Sequence, residues 1–160
     1  GTHVLAACRD GKKMVVVALD VAGQVGADRA QQAALPVGQR KIQREPLRVA
    51  GVDTFVDEMI RTCGGQNAIG KTIHQYPPIS QETLLASAPD IIIEPADTAA
   101  DYERLSRTIH EFYGRYPSLP AVQDKRIYVL DGDLVSRLGP RIEQGLKEVA
   151  KCLWPQEKFN

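Results

Sequence analysis

Three stretches of this chain are apolar almost without a break. Residues 14–19 read MVVVAL, residues 91–93 are isoleucines set between Asp90 and Glu94, and residues 126–130 read RIYVL before an Asp-Gly-Asp turn. Continuous β-branched runs of this length are the pattern of strands buried on both faces, not of a half-exposed sheet with its strict alternation. Elsewhere the apolar positions recur at helical spacing. Phe55, Val56, Met59 and Ile60 follow Asp53, and Gly64 and Gly65 supply a stop able to take positive φ. Ser80 is placed to cap a short helix carrying Leu84 and Leu85. Tyr102, Leu105, Ile109 and Phe112 make a stripe along one helix. Pro140 suits the first turn of another that presents Ile142, Leu146, Val149 and Leu153 on one face. Residues 27–35 fit a short helix ended by Pro36 and Gly38, and the remainder of 21–44 has no clear period.

Buried strands alternating with amphipathic helices predict an α/β fold, a three-layer lobe whose mainly parallel central sheet is flanked by helices. A chain of 160 residues has room for one sizeable core but not for two full domains. With 43% hydrophobic and 25% charged residues the composition is that of a folded domain, which excludes a disordered or fibrous chain. The 20 basic and 20 acidic side chains cancel, so charge gives no reason to expect nucleic acid or a membrane surface as partner. No apolar run approaches the roughly 20 residues of a membrane span. No signal peptide is visible, and Gly1, Thr2 and His3 read as a tag remnant, so the chain is read as a piece of something longer.

Candidate chemistry is sparse. Cys8, Cys63 and Cys152 are odd in number and lack CxxC spacing, which signals neither a disulfide framework nor a zinc site; Cys63 and Cys152 fall inside apolar helical patterns and read as buried thiols. His3, His74 and His110 lie far apart, so no metal site of protein ligands is expected. Neither a nucleophile with a partner base nor a pair of carboxylates stands out, and the chain is read as not an enzyme. Residues 65–72, GQNAIGKT, match the phosphate-loop pattern GxxxxGK[ST] letter for letter. That motif needs a buried strand before it and a long helix after it, so that a helix N-terminus faces the phosphates. Here a helical pattern precedes it, and Pro77 and Pro78 follow too soon for a helix. A nucleotide-binding protein is therefore the alternative, not the leading reading.

Five segments in order carry a resemblance. Residues 45–58 (EPLRVAGVDTFVDE) open it, followed by the GGQNA turn at 64–68 and by YPPISQE at 76–82. APDIII at 88–93 comes next, and LPAV, RIYV and GPRI close the pattern between 119 and 142. Together they resemble the C-terminal lobe of the helical-backbone periplasmic binding proteins, which deliver cobalamin, ferric siderophores and haem to ABC importers. The resemblance divides the chain into a C-terminal ligand-binding lobe, 45–160, and an N-terminal segment, 1–44, that would be a remnant of the first lobe and its connecting helix. It implies a non-enzymatic solute receptor that takes a small-molecule metal chelate, needs no cofactor of its own and docks on an ABC permease. It also implies a periplasmic location, or a lipid-anchored one outside the membrane. The family places its ligand between two lobes, and 44 residues cannot build the first. A truncated gene product, a rearranged one and a homodimer whose second copy supplies the missing wall all stay open, as does a lone lobe acting as an interaction module.

The same resemblance assigns residues. Tyr76 matches an aromatic lining the cleft of cobalamin-binding relatives, a flat side chain suited to a corrin, haem or catechol face, although a turn aromatic packed before Pro77 is an equal reading. Asp133 and Arg137, in the loop after the third strand, match an Asp and an Arg that face the ligand; ligands of open α/β sheets bind outside the carboxyl ends of strands. Mutual pairing, or capping of the helix at Pro140, is the other reading of those two. Leu47 matches a cleft-facing apolar position. Glu82 matches the acid that docks on a positive pocket of the permease, and it also suits the first turn of a helix through the macrodipole. His74 reads as a solvated loop residue, and Arg141 as a support for the helix start or a neighbouring carboxylate.

Overall fold

A computed structural model describes residues 13–16, 47–96, 99–136 and 139–156. Four strands pair in parallel in the spatial order β3 (Gln66–Asn67), β1 (Lys13–Val16), β5 (Ile91–Ala96), β6 (Ile127–Asp131). Met14 stands opposite both Asn67 and Ile91, and Ile93 opposite both Val16 and Tyr128. A separate antiparallel pair joins β2 (Leu47–Arg48) to β4 (Pro78–Ile79). The helices are α1 (Phe55–Thr62), α2 (Gln81–Ser87), α3 (Ala99–Tyr113), α4 (Pro120–Gln123), α5 (Gly132–Ser136) and α6 (Ile142–Leu153).

Period-two alternation along β5 explains the layers. Ile91 and Ile93 point into one core with Met14, Val56, Met59, Ile60, Leu134, Val149 and Leu153, so α1, α5 and α6 cover that face. Ile92 and Ala96 point into a second core with Leu84, Leu105, Ile109 and Phe112, the apolar sides of α2 and α3. All three isoleucines are fully buried, as a parallel sheet covered on both faces requires. Glu94, also buried, accepts a hydrogen bond from the Tyr113 hydroxyl at 2.7 Å, which compensates part of the cost of enclosing a carboxyl group. The expected α/β architecture, with its mainly parallel sheet between helices, is the one observed.

Local differences have local causes. Residues 13–16, from the segment set apart as 1–44, lie in the middle of the sheet, so the two parts of the chain share one layer; residues 17–19 and the helix read at 27–35 lie outside the described residues. β5 runs on through Pro95, beyond Ile93, the last residue paired with described β1. One flank of the strand there carries no described ladder bond for proline to interrupt. Tyr102 is half exposed, so the core side of α3 starts a turn later than its stripe predicts. α6 begins at Ile142 with Arg141 as its N-cap, which places Pro140 ahead of the first turn. The segment after β6, where a loop is expected, forms the short helix α5.

α6 is fixed at both ends. Arg126 Nη2 donates to the carbonyls of Cys152 and Leu153 at 2.7 and 2.9 Å, and so satisfies acceptors that a helix end leaves open. Near its start, Gly145 lies so close to α5 that a Cβ there would collide with the Leu134 carbonyl and press on Met59. Helix propensity alone makes Gly→Ala stabilising by about 1 kcal/mol. Here the backbone contact decides the sign, and Gly145→Ala is expected to destabilise by about 1–3 kcal/mol in urea unfolding, with the change in midpoint as the readout.

The Cys152 thiol is pushed up to about 12, chiefly by burial and secondarily by the Glu148 carboxylate, with Arg126 opposing. An acid whose pKa rises on folding keeps a proton that the unfolded chain has already released. Stability is therefore expected to fall as pH rises from the ordinary thiol range toward 12, by at most about 1.4 kcal/mol per pH unit. Parallel unfolding curves of the native chain and Cys152→Ala across that range isolate the contribution: the variant's slope should be shallower.

Candidate functional site

All four parallel strands end at one edge of the sheet, and two groups of residues gather there. The first lies past the end of β3. Asn67 Nδ2 donates to the Ala50 carbonyl at 3.0 Å, while its Oδ1 accepts from the Ile69 amide at 3.0 Å, so one side chain ties the strand end to the passing segment at Ala50 and shapes the turn that follows it. Next to it the Gly51 amide donates to the Gln75 carbonyl at 2.7 Å and the Val49 amide to the Pro77 carbonyl at 3.2 Å, extending the β2–β4 pairing. A Cβ at Gly51 would stand 2.9 Å from that Gln75 oxygen, so this close approach is one that glycine permits. The loop at 70–76 is thereby held at the sheet edge. It presents Ile73, 97% exposed, and Tyr76, 38% exposed. Burial of part of the ring raises the Tyr76 phenol above its ordinary pKa, and Arg48 Nη1 donates to the Tyr76 carbonyl at 3.2 Å.

The start of α1 completes this group. Thr54 caps the helix: its Oγ1 accepts from the Asp57 amide at 3.0 Å and donates to the Gly51 carbonyl at 2.9 Å. Asp57 reaches back with Oδ2 to the Asp53 amide at 3.3 Å and pairs with Arg61 at 2.8 Å. Asp53 takes φ 65°, in the left-handed region that asparagine and aspartate tolerate better than most residues. Gln75 Nε2 meets the Asp53 carbonyl at 3.4 Å. This is a capping box shifted by one residue, and it secures the turn against which loop 70–76 rests.

The second group follows β6. Asp131 Oδ1 accepts from the Asp133 amide at 3.0 Å, an Asx turn that starts α5. Asp131 Oδ2 lies 3.7 Å from Arg141 Nη1, and Arg141 Nε donates to Gln144 Oε1 at 3.3 Å. Arg141 thus supports both a neighbouring carboxylate and the start of α6. The Asp133 side chain is exposed on α5.

The predicted residues fall as follows. Tyr76 and Asp133 belong to different groups: Asp133 follows the end of β6 directly, whereas Tyr76 ends the loop between β3 and β4. Arg137 lies outside the described residues. Leu47 is 6% exposed and packs in the core under α2 and α3, so nearly all of its surface is already used. Glu82 is exposed in the first turn of α2, which Ser80 caps by accepting from the Thr83 amide at 3.1 Å. Leu85, one turn on, is exposed as well. Residues 65–72 run through β3 into the irregular loop that β4 ends, with α1 before them, so no helix N-terminus is offered to a phosphate. Among the described residues no group of three His, Cys, Asp or Glu side chains is placed to hold a metal ion, and no helix is long and apolar enough to cross a membrane.

Sequence reasoning passed over Arg48, Asn67 and Asp131. The Asp-Gly-Asp spacing of 131–133 was a legible turn signal. Nothing local announces that Arg48 and Asn67 reach residues 28 and 17 positions away.

Comparison with known proteins identifies the class. A family described as periplasmic binding protein matches residues 24–134, and the chain belongs to it. It is 29% identical over 109 residues to an uncharacterized ABC transporter substrate-binding lipoprotein, YvrC, of Bacillus subtilis, covering 68% of this chain and 32% of that protein. Over 108 residues it is 27% identical to the vitamin B12-binding protein of Salmonella choleraesuis, covering 68% and 36%. Its fold matches the periplasmic haem-binding protein HutB of Vibrio cholerae with a TM-score of 0.66 at 23% identity, covering 96% of this chain and 52% of that one. The chain therefore spans about a third of these curated relatives and about half of the solved structure, the extent of one lobe.

Because the Thr54 hydroxyl both caps α1 and holds the Gly51 carbonyl, Thr54→Ala is expected to cost about 1–2 kcal/mol. Hydrogen exchange should accelerate at the Asp57 amide, which loses its acceptor, while the amides of β5 keep their protection.

Proposed function

We propose that this chain is a ligand-gripping lobe of a non-enzymatic solute receptor for an ABC importer, and that its ligand is a small metal chelate: a cobalamin-like corrinoid, a ferric siderophore or haem. The observation that carries this reading is the gathering of exposed side chains, Ile73 and Tyr76 after β3 and Asp133 after β6, at the carboxyl edge of a parallel sheet, the edge at which ligands of such folds bind. Membership of the periplasmic binding protein family and the likeness to B12-binding and haem-binding proteins support it.

In this reading Tyr76 and Ile73 offer a flat apolar seat, with the phenol at its rim. Asp133 accepts hydrogen bonds from amide or hydroxyl groups on the far side, and Arg137 grips an acidic substituent. Leu47 acts from beneath, by holding β2 and hence Arg48 in place. Glu82 and Leu85 face outward as a contact for the permease, an acid to pair with arginine and an apolar neighbour to exclude water. The working location is outside the cytoplasmic membrane, periplasmic or lipid-anchored.

Titration with haem, a ferric siderophore and cyanocobalamin tests the reading. Trp154 donates to the Cys63 carbonyl near the end of α6, away from the proposed seat, so quenching would report energy transfer to a coloured ligand and not contact. Calorimetry should accompany it. Saturable binding by one of the three is expected, weakened about fivefold or more by Tyr76→Ala and by Asp133→Ala. Absence of binding by all three, with the chain folded, would end the proposal.

A further inference from the structure

Tyr102 belongs to the core by its helical period and to the solvent by its exposure, and the conflict has a geometric cause. It continues the stripe of Leu105, Ile109 and Phe112 along α3. Those three are buried with Ile92 and Ala96 of β5, whereas Tyr102 is 49% exposed. Ala99 opens α3 three positions after Ala96 closes β5, so the helix starts at the carboxyl edge and runs back down the strand. The bond from the Tyr113 hydroxyl to Glu94 sets the height of one against the other. Tyr102 stands eleven positions before Tyr113, about 16 Å up the helix. β5 continues only from Glu94 to Ala96, about 7 Å. The first turn of α3 therefore overtops the sheet. Helical side chains lean toward the N-terminus of their helix, which here carries the Tyr102 ring further outward.

The sheet-facing side of a helix that rises past its sheet looks onto the space above the strand ends. β5 lies between β1 and β6, so its exit is next to the turn that carries Asp133. The backbone beneath the ring is tied: Ser106 Oγ donates to the Tyr102 carbonyl at 2.8 Å. Resting on the reading of this edge as a ligand seat, we propose that Tyr102 is a further ligand-contact residue, which walls the seat on the side of α3. Tyrosine suits the task. Its ring offers a large flat surface with a polar tip, and only two torsions have to be fixed when a ligand settles against it. No local pattern singles it out, because in the sequence it is one more apolar position of a core stripe.

The test uses the whole chain with haem, a ferric trihydroxamate siderophore and cyanocobalamin as probes, and takes two readings. In calorimetry, Tyr102→Ala should weaken the probe that binds by about fivefold or more. Tyr102→Phe, which keeps the ring, should bind more tightly than Tyr102→Ala. Glu111→Ala, exposed toward the other end of α3, should bind as the native chain does. The second reading is nitration by tetranitromethane, located by mass spectrometry, which attacks the exposed rings of Tyr76 and Tyr102 ahead of the buried Tyr113 and Tyr116. Saturation with the probe should protect Tyr102. Weakened binding at an unchanged urea midpoint, together with that protection, supports the proposal. Native affinity in Tyr102→Ala, or undiminished nitration of Tyr102 at saturation, overturns it and leaves the seat to stand on Tyr76→Ala and Asp133→Ala. Failure of all three probes to bind the folded chain overturns both.

Discussion

A parallel sheet covered on both faces has two consequences that shape everything else in this lobe. Its strands must be apolar throughout, because neither side meets water. And since they all run the same way, every segment that follows a strand leaves at one edge. The ladder from Asn67 through Met14 and Ile91 to Ile127 fixes the relative height of those exits. A slip of one residue in β5 would turn Ile91 and Ile93 toward α3, and would move the turn after β6 relative to the loop after β3. The relative height of the strand exits is thus a property of the sheet, rigid to the extent that the two cores are well packed.

What the sheet sets in general, a few polar side chains set in detail. Asn67 uses both ends of its amide on backbone groups of different segments, Thr54 uses its hydroxyl as acceptor and donor at once, and Asp131 divides its two oxygens between a turn amide and Arg141. Each stands at the exit edge, where irregular backbone would otherwise leave donors and acceptors dependent on water. Ile73 and Tyr76 can be displayed on a loop because the backbone beneath them is tied to Gly51 and Val49.

The sheet was legible in the sequence wherever hydrophobicity carried it. The apolar runs at 14–19, 90–94 and 126–130 have no other good use, and Ser80 announced its helix by capping chemistry, whereas the Thr54 cap of α1 went unread. Two-residue strands such as β2, β3 and β4 have no period to detect; they exist because partners distant in sequence are brought alongside. Leu47 illustrates the limit at the site. An apolar residue next to a strand reads the same whether it faces a cleft or a core, and only the packing of α2 and α3 over it decides. Tyr102 errs in the other direction, matching the helical period while lying beyond what the sheet covers. Asp133 and Tyr76 were singled out by the resemblance, and the structure places both in exposed segments that follow strands. The role of Arg48 depends on a bond across 28 residues that no local pattern encodes.

One edge, however well organised, covers one side of a ligand. Good small-molecule sites enclose about 70–90% of ligand surface, and a flat chelate lying on Tyr76 and Ile73 leaves its other face in water. Tight binding therefore requires an opposing wall, and the edge described here constrains it. The complementary surface has to be apolar where Ile73 and Tyr76 are exposed, and closing it over a ligand would lower the local dielectric and strengthen the polar contacts that the edge makes.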